Sequence, residues 1–317
     1  MLRRNPNDRS RTAGRVVVGW VHLLILGCAN GWSVDNISGQ PVSSNSSNSV
    51  LPYLPALMAK GPLFAFDEMV RHATPDDLRF ELTNNSIAYR TMAIDVIKTR
   101  ADKAFIADLS RALEDERAQV RVEAALTLDA FGEPKGRIAL VNEVTKAKEA
   151  RARLNQGTVR RTYWDVEDTD AWSKGAGVLA DLGDSTGYEV VKTTLLQDDL
   201  YGCRMLAVLE IPKFMRFKDK QADAESVLLL TADDAIGRID KKLAENPDKR
   251  PSAQLGYLDV VSRMLAQVGG EQEVAKLKLY AQHKNPDVRF CATAYLHAIE
   301  RKKQQQTGTA PQNSITP

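Results

Sequence analysis

From Ala104 to Gly132 the chain reads AFIADLSRALEDERAQVRVEAALTLDAFG. Phe105, Ile106, Leu109 and Leu113 fall at helical spacing and predict one buried stripe. Glu114-Asp115-Glu116 makes a short polar turn, and a second stripe follows at Val120, Val122, Ala124, Ala125, Leu128 and Phe131. Gly132 stands where a helix commonly ends in a left-handed residue. The pattern predicts a helical hairpin whose second helix packs closely through small residues. One such hairpin cannot bury both of its faces, so it requires similar neighbours on either side.

The neighbours are present. Val288-Arg289 opens a second copy that runs to Leu296, with Asn285 as cap, Pro286 at the first helical position and Asp287 near the positive end of the helix dipole. Further copies lie at Asp198–Ala207 and Ile87–Ile94, and copies without the arginine lie at Trp172–Leu182 and Leu255–Val268. Arg90 and Arg121 are 31 residues apart, Lys174 and Arg204 are 30 apart, and Gly256 and Arg289 are 33 apart. Two helices per period of about thirty residues predict an all-α fold, an α-solenoid of stacked antiparallel helix pairs.

Asp115 with Val120-Arg121, Asp198 with Arg204, and Pro286-Asp287-Val288-Arg289 resemble the HEAT-like repeats of the short bacterial type found in phycobilisome lyases. The resemblance covers roughly residues 75–301 and implies an armadillo-type superhelix. It also implies that Asp115, Arg121, Asp198, Arg204, Asp287 and Arg289 form a ladder of turn aspartates and arginines, bonded to each other and to neighbouring turns. Arg121 and Arg204 each follow an aspartate by six residues, whereas Arg289 has His283 at that place.

Ahead of the repeats, Arg3, Arg4, Arg9, Arg11 and Arg15 form a basic segment, and Val16–Leu26 is an apolar run interrupted by Gly19 and His22. The run is far shorter than the ~20 residues a spanning helix needs, so residues 1–27 read as a signal peptide. Ile25-Leu26-Gly27-Cys28 resembles a bacterial lipobox. That resemblance implies cleavage before Cys28 and lipidation of its thiol; the alternative is an ordinary secreted protein. Acyl chains on Cys28 would anchor the chain, because each buried methylene contributes about 0.8 kcal/mol. Ala29 resembles the second residue of lipoproteins sorted to an outer membrane. Residues 28–50, rich in Asn, Ser and Gly, read as a flexible tether after Cys28. The repeat domain then spans 51–303, and 304–317 reads as a disordered tail. Within the domain, Thr74-Pro75-Asp76-Asp77 is a strong helix start, and Phe64, Phe66, Met69, Leu78 and Phe80 are expected to close the end of the stack.

The period breaks once. Arg121 and Lys174 are 53 residues apart, and the excess is an insertion around 135–170. It holds a long helix over 137–154 and then an acidic, aromatic segment over 162–170 that reads as a solvated loop. From Lys135 to Arg161 there are eight basic residues against Glu143 and Glu149. Insertions in repeat proteins map to one face, often the binding face, which makes Arg160, Arg161, Tyr163 and Trp164 the candidate partner contacts.

The formal net charge is +2, and residues 1–27 contribute +4 of it, which leaves −2 for the remainder. The folded part therefore lacks the overall basic excess expected of a nucleic-acid binder. His72, His283 and His297 show no His-Glu-x-x-His spacing, and Cys203 and Cys291 have no zinc spacing and read as packing residues rather than a disulfide. No glycine-rich phosphate loop is present. Asp165, Glu167, Asp168 and Asp170 lack the glycine and distal glutamate of a calcium loop. The reading is a non-catalytic, lipid-anchored protein-binding scaffold of the cell envelope, with no cofactor, no metal and an unidentified protein partner. The alternatives are a HEAT-like lyase or other enzyme subunit, and a structural envelope component.

Overall fold

The computed structural model describes residues 54–154, 163–198, 201–248 and 250–306, with the side chains of 148–154, 163–167 and 306 set aside. The signal segment, Cys28, the tether, Arg160 and Arg161 lie outside these residues, and Tyr163 and Trp164 are described by backbone alone. Among the described residues the chain forms fourteen α-helices and no strand, so the all-α expectation holds. Contacts separate two units: Met1–Glu116 with Glu123–Gly136, and Arg117–Val122 with Arg137–Pro317.

In the first unit the helices are α1 Leu54–Lys60, α2 Pro62–His72, α3 Pro75–Glu81, α4 Ile87–Arg100 and α5 Ile106–Ala112, the last entered through a 3₁₀ turn at Lys103–Phe105. Helix α6, Ala118–Ala130, has residues in both units. Helix α3 begins as its sequence requires. The backbone N–H of Asp77 donates to Thr74 Oγ1 at 3.2 Å, and the Thr74 N–H donates to Asp77 Oδ2 at 2.8 Å. This capping box satisfies two helix-end donors reciprocally. Helix α2 packs on α1 and on α4, and α3 packs on α4. Arg100, the last residue of α4, donates to the carbonyls of Met69, Val70 and Ala73 at 2.6, 3.0 and 2.7 Å, so one guanidinium meets three carbonyls at the C-terminal end of α2.

The 104–132 hairpin forms where its pattern places it. Phe105, Leu109, Val120, Val122, Ala124, Ala125, Leu128 and Phe131 are buried, and Gly132 has φ 84°. Phe66, Met69 and Leu78 are buried as expected at the end of the first unit. Phe64 and Phe80 are not; they remain 44% and 40% exposed and close nothing.

Helix α7, Pro134–Leu154, starts three residues before the expected position. Its first turn lies directly on α6. A Cβ on Gly136 would stand 2.4 Å from the Asp129 nitrogen and 2.6 Å from the Ala125 oxygen. These are backbone atoms that cannot swing aside, so Gly136→Ala is expected to destabilise by about 1–3 kcal/mol through overpacking. Gly237 lies in the middle of a helix and has open space around it, so Gly237→Ala is expected to stabilise by about 0.5–1 kcal/mol. Urea unfolding of the two variants checks both; equal effects would show that helix propensity, not contact, governs Gly136.

The second unit continues with α8 Tyr163–Asp181, α9 Tyr188–Gln197, α10 Tyr201–Glu210, a 3₁₀ segment Ile211–Arg216, α11 Gln221–Glu245, α12 Ser252–Val268, α13 Glu271–Tyr280 and α14 Pro286–Gln306. Successive members of the row α8, α10, α12 and α14 pack on one another. Helix α9 packs on α8, α10 and α11, helix α11 also on α12, and α13 on α12 and α14. Helices α8, α9 and α12 thus each touch the next in sequence and the next but one. Asn285 Oδ1 caps α14 by accepting from Asp287 and Val288 N–H at 2.9 and 3.2 Å.

Two expectations are corrected. The acidic segment 163–170 is the first part of α8 rather than a solvated loop: Asp170 is buried and Asp168 pairs with Arg117 at 3.3 Å. The last helix extends to Gln306, three residues into the stretch read as tail.

Candidate functional site

A turn between helices must satisfy the carbonyls left open at a helix end. Arginine suits this task, because its planar fork donates in several directions at once. Arg90, 6% exposed on α4, donates from Nη1 to the carbonyls of Asn84 and Asn85, at 2.8 and 3.2 Å. Its Nη2 donates to Asp115 Oδ1 at 3.0 Å, and its Nε lies 2.9 Å from Oδ2. Asp115 comes from the following turn.

The other residues of the expected ladder have partners that the expectation did not name, and the contacts differ from place to place. Arg289 repeats the local half of the arrangement, donating to the carbonyls of His283 and Lys284 at 2.8 and 2.7 Å. Asp287 receives Arg250 through two bonds of 3.1 and 3.0 Å. Arg121 donates to Glu143 at 2.8 Å. Burial works against ionisation of Glu143, but Arg121 and Lys146 outweigh it and hold the carboxyl below its ordinary value. Arg204 is fully buried, donates twice to the Leu195 carbonyl, pairs with Asp234 and lies 5.5 Å over the Tyr257 ring. Asp198 is buried at the end of α9, where its N–H donates to the Thr194 carbonyl.

The acids that meet these arginines lie 22 to 37 residues away in sequence. Glu143, Asp234 and Arg250 are the members that sequence reasoning missed. The available signal was an opposite charge about one repeat from each partner, a spacing many other charges also satisfy.

A second device recurs in the second unit. Two donors one helical turn apart converge on one aspartate of another helix. Tyr188 Oη and Lys192 Nζ meet Asp223 at 2.8 and 2.6 Å. Lys276 Nζ and Tyr280 Oη meet Asp233 at 2.9 and 3.0 Å. Cys291 Sγ and Tyr295 Oη meet Asp259 at 3.7 and 3.0 Å. The Lys192 and Tyr188 hydrogen bonds hold the Asp223 carboxyl below its ordinary value. Burial, reinforced by Asp259, pushes the Cys291 thiol up to about 11, so Cys291 is a neutral packing donor at physiological pH. Cys203 and Cys291 are both unbridged, as expected.

The turn face of the first unit carries an open cleft of about 600 Å³ beside Arg90. Its rim alternates in sign. Arg79 lies 3.6 Å from Asp108, Arg111 pairs with the same carboxylate, and Glu116 stands 3.7 Å from Arg90. Every cation on the rim faces an acid, so the cleft suits a polar, mixed-charge surface better than a bare anion. Arg79 and Arg111 are about half and mostly exposed, whereas Arg90 is buried.

Among the described residues no group of three or more His, Cys, Asp and Glu is placed to hold a metal ion, and no helix is long and apolar enough to cross a membrane. Tyr163 and Trp164 begin α8. No family model matches the chain, and no curated protein matches it.

Proposed function

We propose that the protein is a HEAT-like α-solenoid that holds another protein at the cell envelope, anchored through lipid on Cys28. The observation that carries the reading is the repeated turn architecture. Arg90 and Arg204 each clasp carbonyls of the preceding turn or helix end and an acid of another helix or turn, while α8, α9 and α12 each pack on the next helix and the next but one. That connectivity is what stacked two-helix layers require, and layers of this kind expose long, regular surfaces suited to protein partners. The Cys28 lipobox resemblance and the Asn- and Ser-rich stretch after it supply the anchor and the spacer.

The buried arginines serve the scaffold, and the exposed groups around them serve recognition. Arg79, Arg111 and Glu116 are therefore the contacts to probe in the cleft, together with Arg160, Arg161, Tyr163 and Trp164. Removal of residues 156–170 would cut into α8 and its buried Asp170, so the cleaner variants are Arg79→Glu/Arg111→Glu and Arg160→Glu/Arg161→Glu. The test is photo-crosslinking of the full chain in detergent-solubilised membranes. Wild type is expected to capture a discrete partner, and at least one charge-reversed pair to lose about ten-fold in capture while keeping its helical circular dichroism; a rim pair broken in a complex is worth about 1–2 kcal/mol. Capture unchanged in both variants would sink the binding surface, and no capture at all would favour a purely structural envelope component.

A further inference from the structure

Helix α1 is the first described element of the chain after Cys28, and it is unusually apolar for its exposure. Of its seven residues only Leu54 is buried. Pro55, Ala56 and Ala59 are exposed, and Leu63 and Phe64 at the start of α2 are 43% and 44% exposed. Between Asp35 and Lys60 the sequence has no charged residue. Lys60 is the exception, and its Nζ sits 5.3 Å over the Phe64 ring. One face therefore presents an aromatic ring with an ammonium group beside it, next to a short apolar helix. Such a pairing suits a membrane interface, where the ring enters the acyl boundary and the amine stays among phosphates.

The chain ahead of this face identifies its occupant. Twenty-five residues separate Cys28 from Leu54, so α1 lies within at most about 90 Å of the anchor even on a fully extended path. A lipid on Cys28 would hold a weakly apolar face at high local concentration near the bilayer, where it binds without needing high intrinsic affinity. We infer that α1 and the start of α2 dock on the lipid surface through Leu63, Phe64 and Lys60, setting the orientation of the first unit on the membrane. The inference rests on the lipid-anchored reading above. The acids of α2 limit how far the face can insert: Asp67 and Glu68 lie one turn further along the same side of the helix, Asp67 exposed and Glu68 beside Arg71 and His72, so only the start of α2 enters the interface.

The test is hydroxyl-radical footprinting of the full chain, with and without vesicles of phosphatidylethanolamine and phosphatidylglycerol. Intact-mass analysis of the same sample reads acylation of Cys28. Oxidation of Met58, Leu63 and Phe64 is expected to fall about five-fold with vesicles, as expected for side chains entering the interface. Ile138, Leu230 and Phe290, which are also exposed, should be unchanged. Leu63→Ser/Phe64→Ser is expected to restore Met58 oxidation without loss of helicity. Equal oxidation with and without vesicles overturns docking, whether or not Cys28 is acylated. Protection that follows protein concentration in the absence of vesicles overturns it in favour of a second copy. Protection by vesicles with Cys28 bare sustains docking and sinks the anchor.

Discussion

Replacing Arg204 with alanine is expected to destabilise the second unit by about 3–5 kcal/mol, as breaking a buried charge pair does, and to lower its thermal midpoint by roughly 10 °C. Arg204 is 2% exposed and has three partners: the Leu195 carbonyl, Asp234 and the face of Tyr257. Burial disfavours ionisation of Asp234, but its bonds to Arg238 and Arg204 overcome that and hold its carboxyl below the ordinary value. Without Arg204, Asp234 keeps only the Arg238 bond of 2.7 Å among these two, and the Leu195 carbonyl loses both of the arginine's donors. A lysine at 204 retains the charge but not the fork, so Arg204→Lys should recover part of the loss. Arg250 is the comparison. It too pairs with an aspartate, Asp287, through two bonds, but with its side chain 69% exposed, and Arg250→Ala should cost under about 1 kcal/mol because water replaces the pair. Thermal unfolding followed by circular dichroism decides it: equal losses at 204 and 250 would mean that burial of the rung does not set its contribution.

That contrast also shows where the sequence could be read and where it could not. The 104–132 hairpin, the Thr74 capping box and the Asn285-Pro286-Asp287 helix start were legible because each depends on contacts within a few residues, and short-range spacing encodes them directly. The arginines of the turns were legible as recurring positions. Their acids were not. Arg121 meets Glu143 and Arg204 meets Asp234 across different helices, and nothing local distinguishes those acids from solvated ones. The misreading of residues 163–170 has the same cause. Asp165, Glu167, Asp168 and Asp170 look like a charged loop in isolation, yet Asp168 finds Arg117 and the segment begins α8. Phe64 and Phe80 failed in the opposite sense. Hydrophobicity predicted burial at the end of the stack, but no described neighbour covers them fully, and for Phe64 that exposure became the more informative fact. The candidate contacts Arg160 and Arg161 rest on sequence alone.

The first unit should lose stability as the pH rises from 5 to 8, by about 3 kcal/mol, and Glu81→Gln should abolish most of that loss. Glu81 is buried on α3. Burial, with Asp77 on the same helix adding to it, raises its carboxyl from 4.5 to about 7, against the opposing hydrogen bond from Asn84 Nδ2 at 2.8 Å. The folded chain therefore holds a proton on Glu81 that the unfolded chain has released between those two values. Because the folded pKa is the higher one, the stabilisation is full below about pH 4.5 and is lost as the pH climbs through 7, at about 1.4 kcal/mol per decade. Burial raises Glu210 and Glu273 as well, so the whole chain shares the sign, and the glutamine variant isolates the part that belongs to α3. Glu143, Asp223 and Asp234, held below their ordinary values, act in the other direction, but only under about pH 4.5, outside the window compared. Glutamine keeps an oxygen for Asn84 and carries no charge at any pH. The decisive measurement is the amide-exchange protection factor of α3 and α4, corrected for intrinsic rate, at pH 5.5 and pH 8. Protection that falls in wild type and stays level in Glu81→Gln is the expected result. A parallel fall in both would place the pH dependence on another carboxylate.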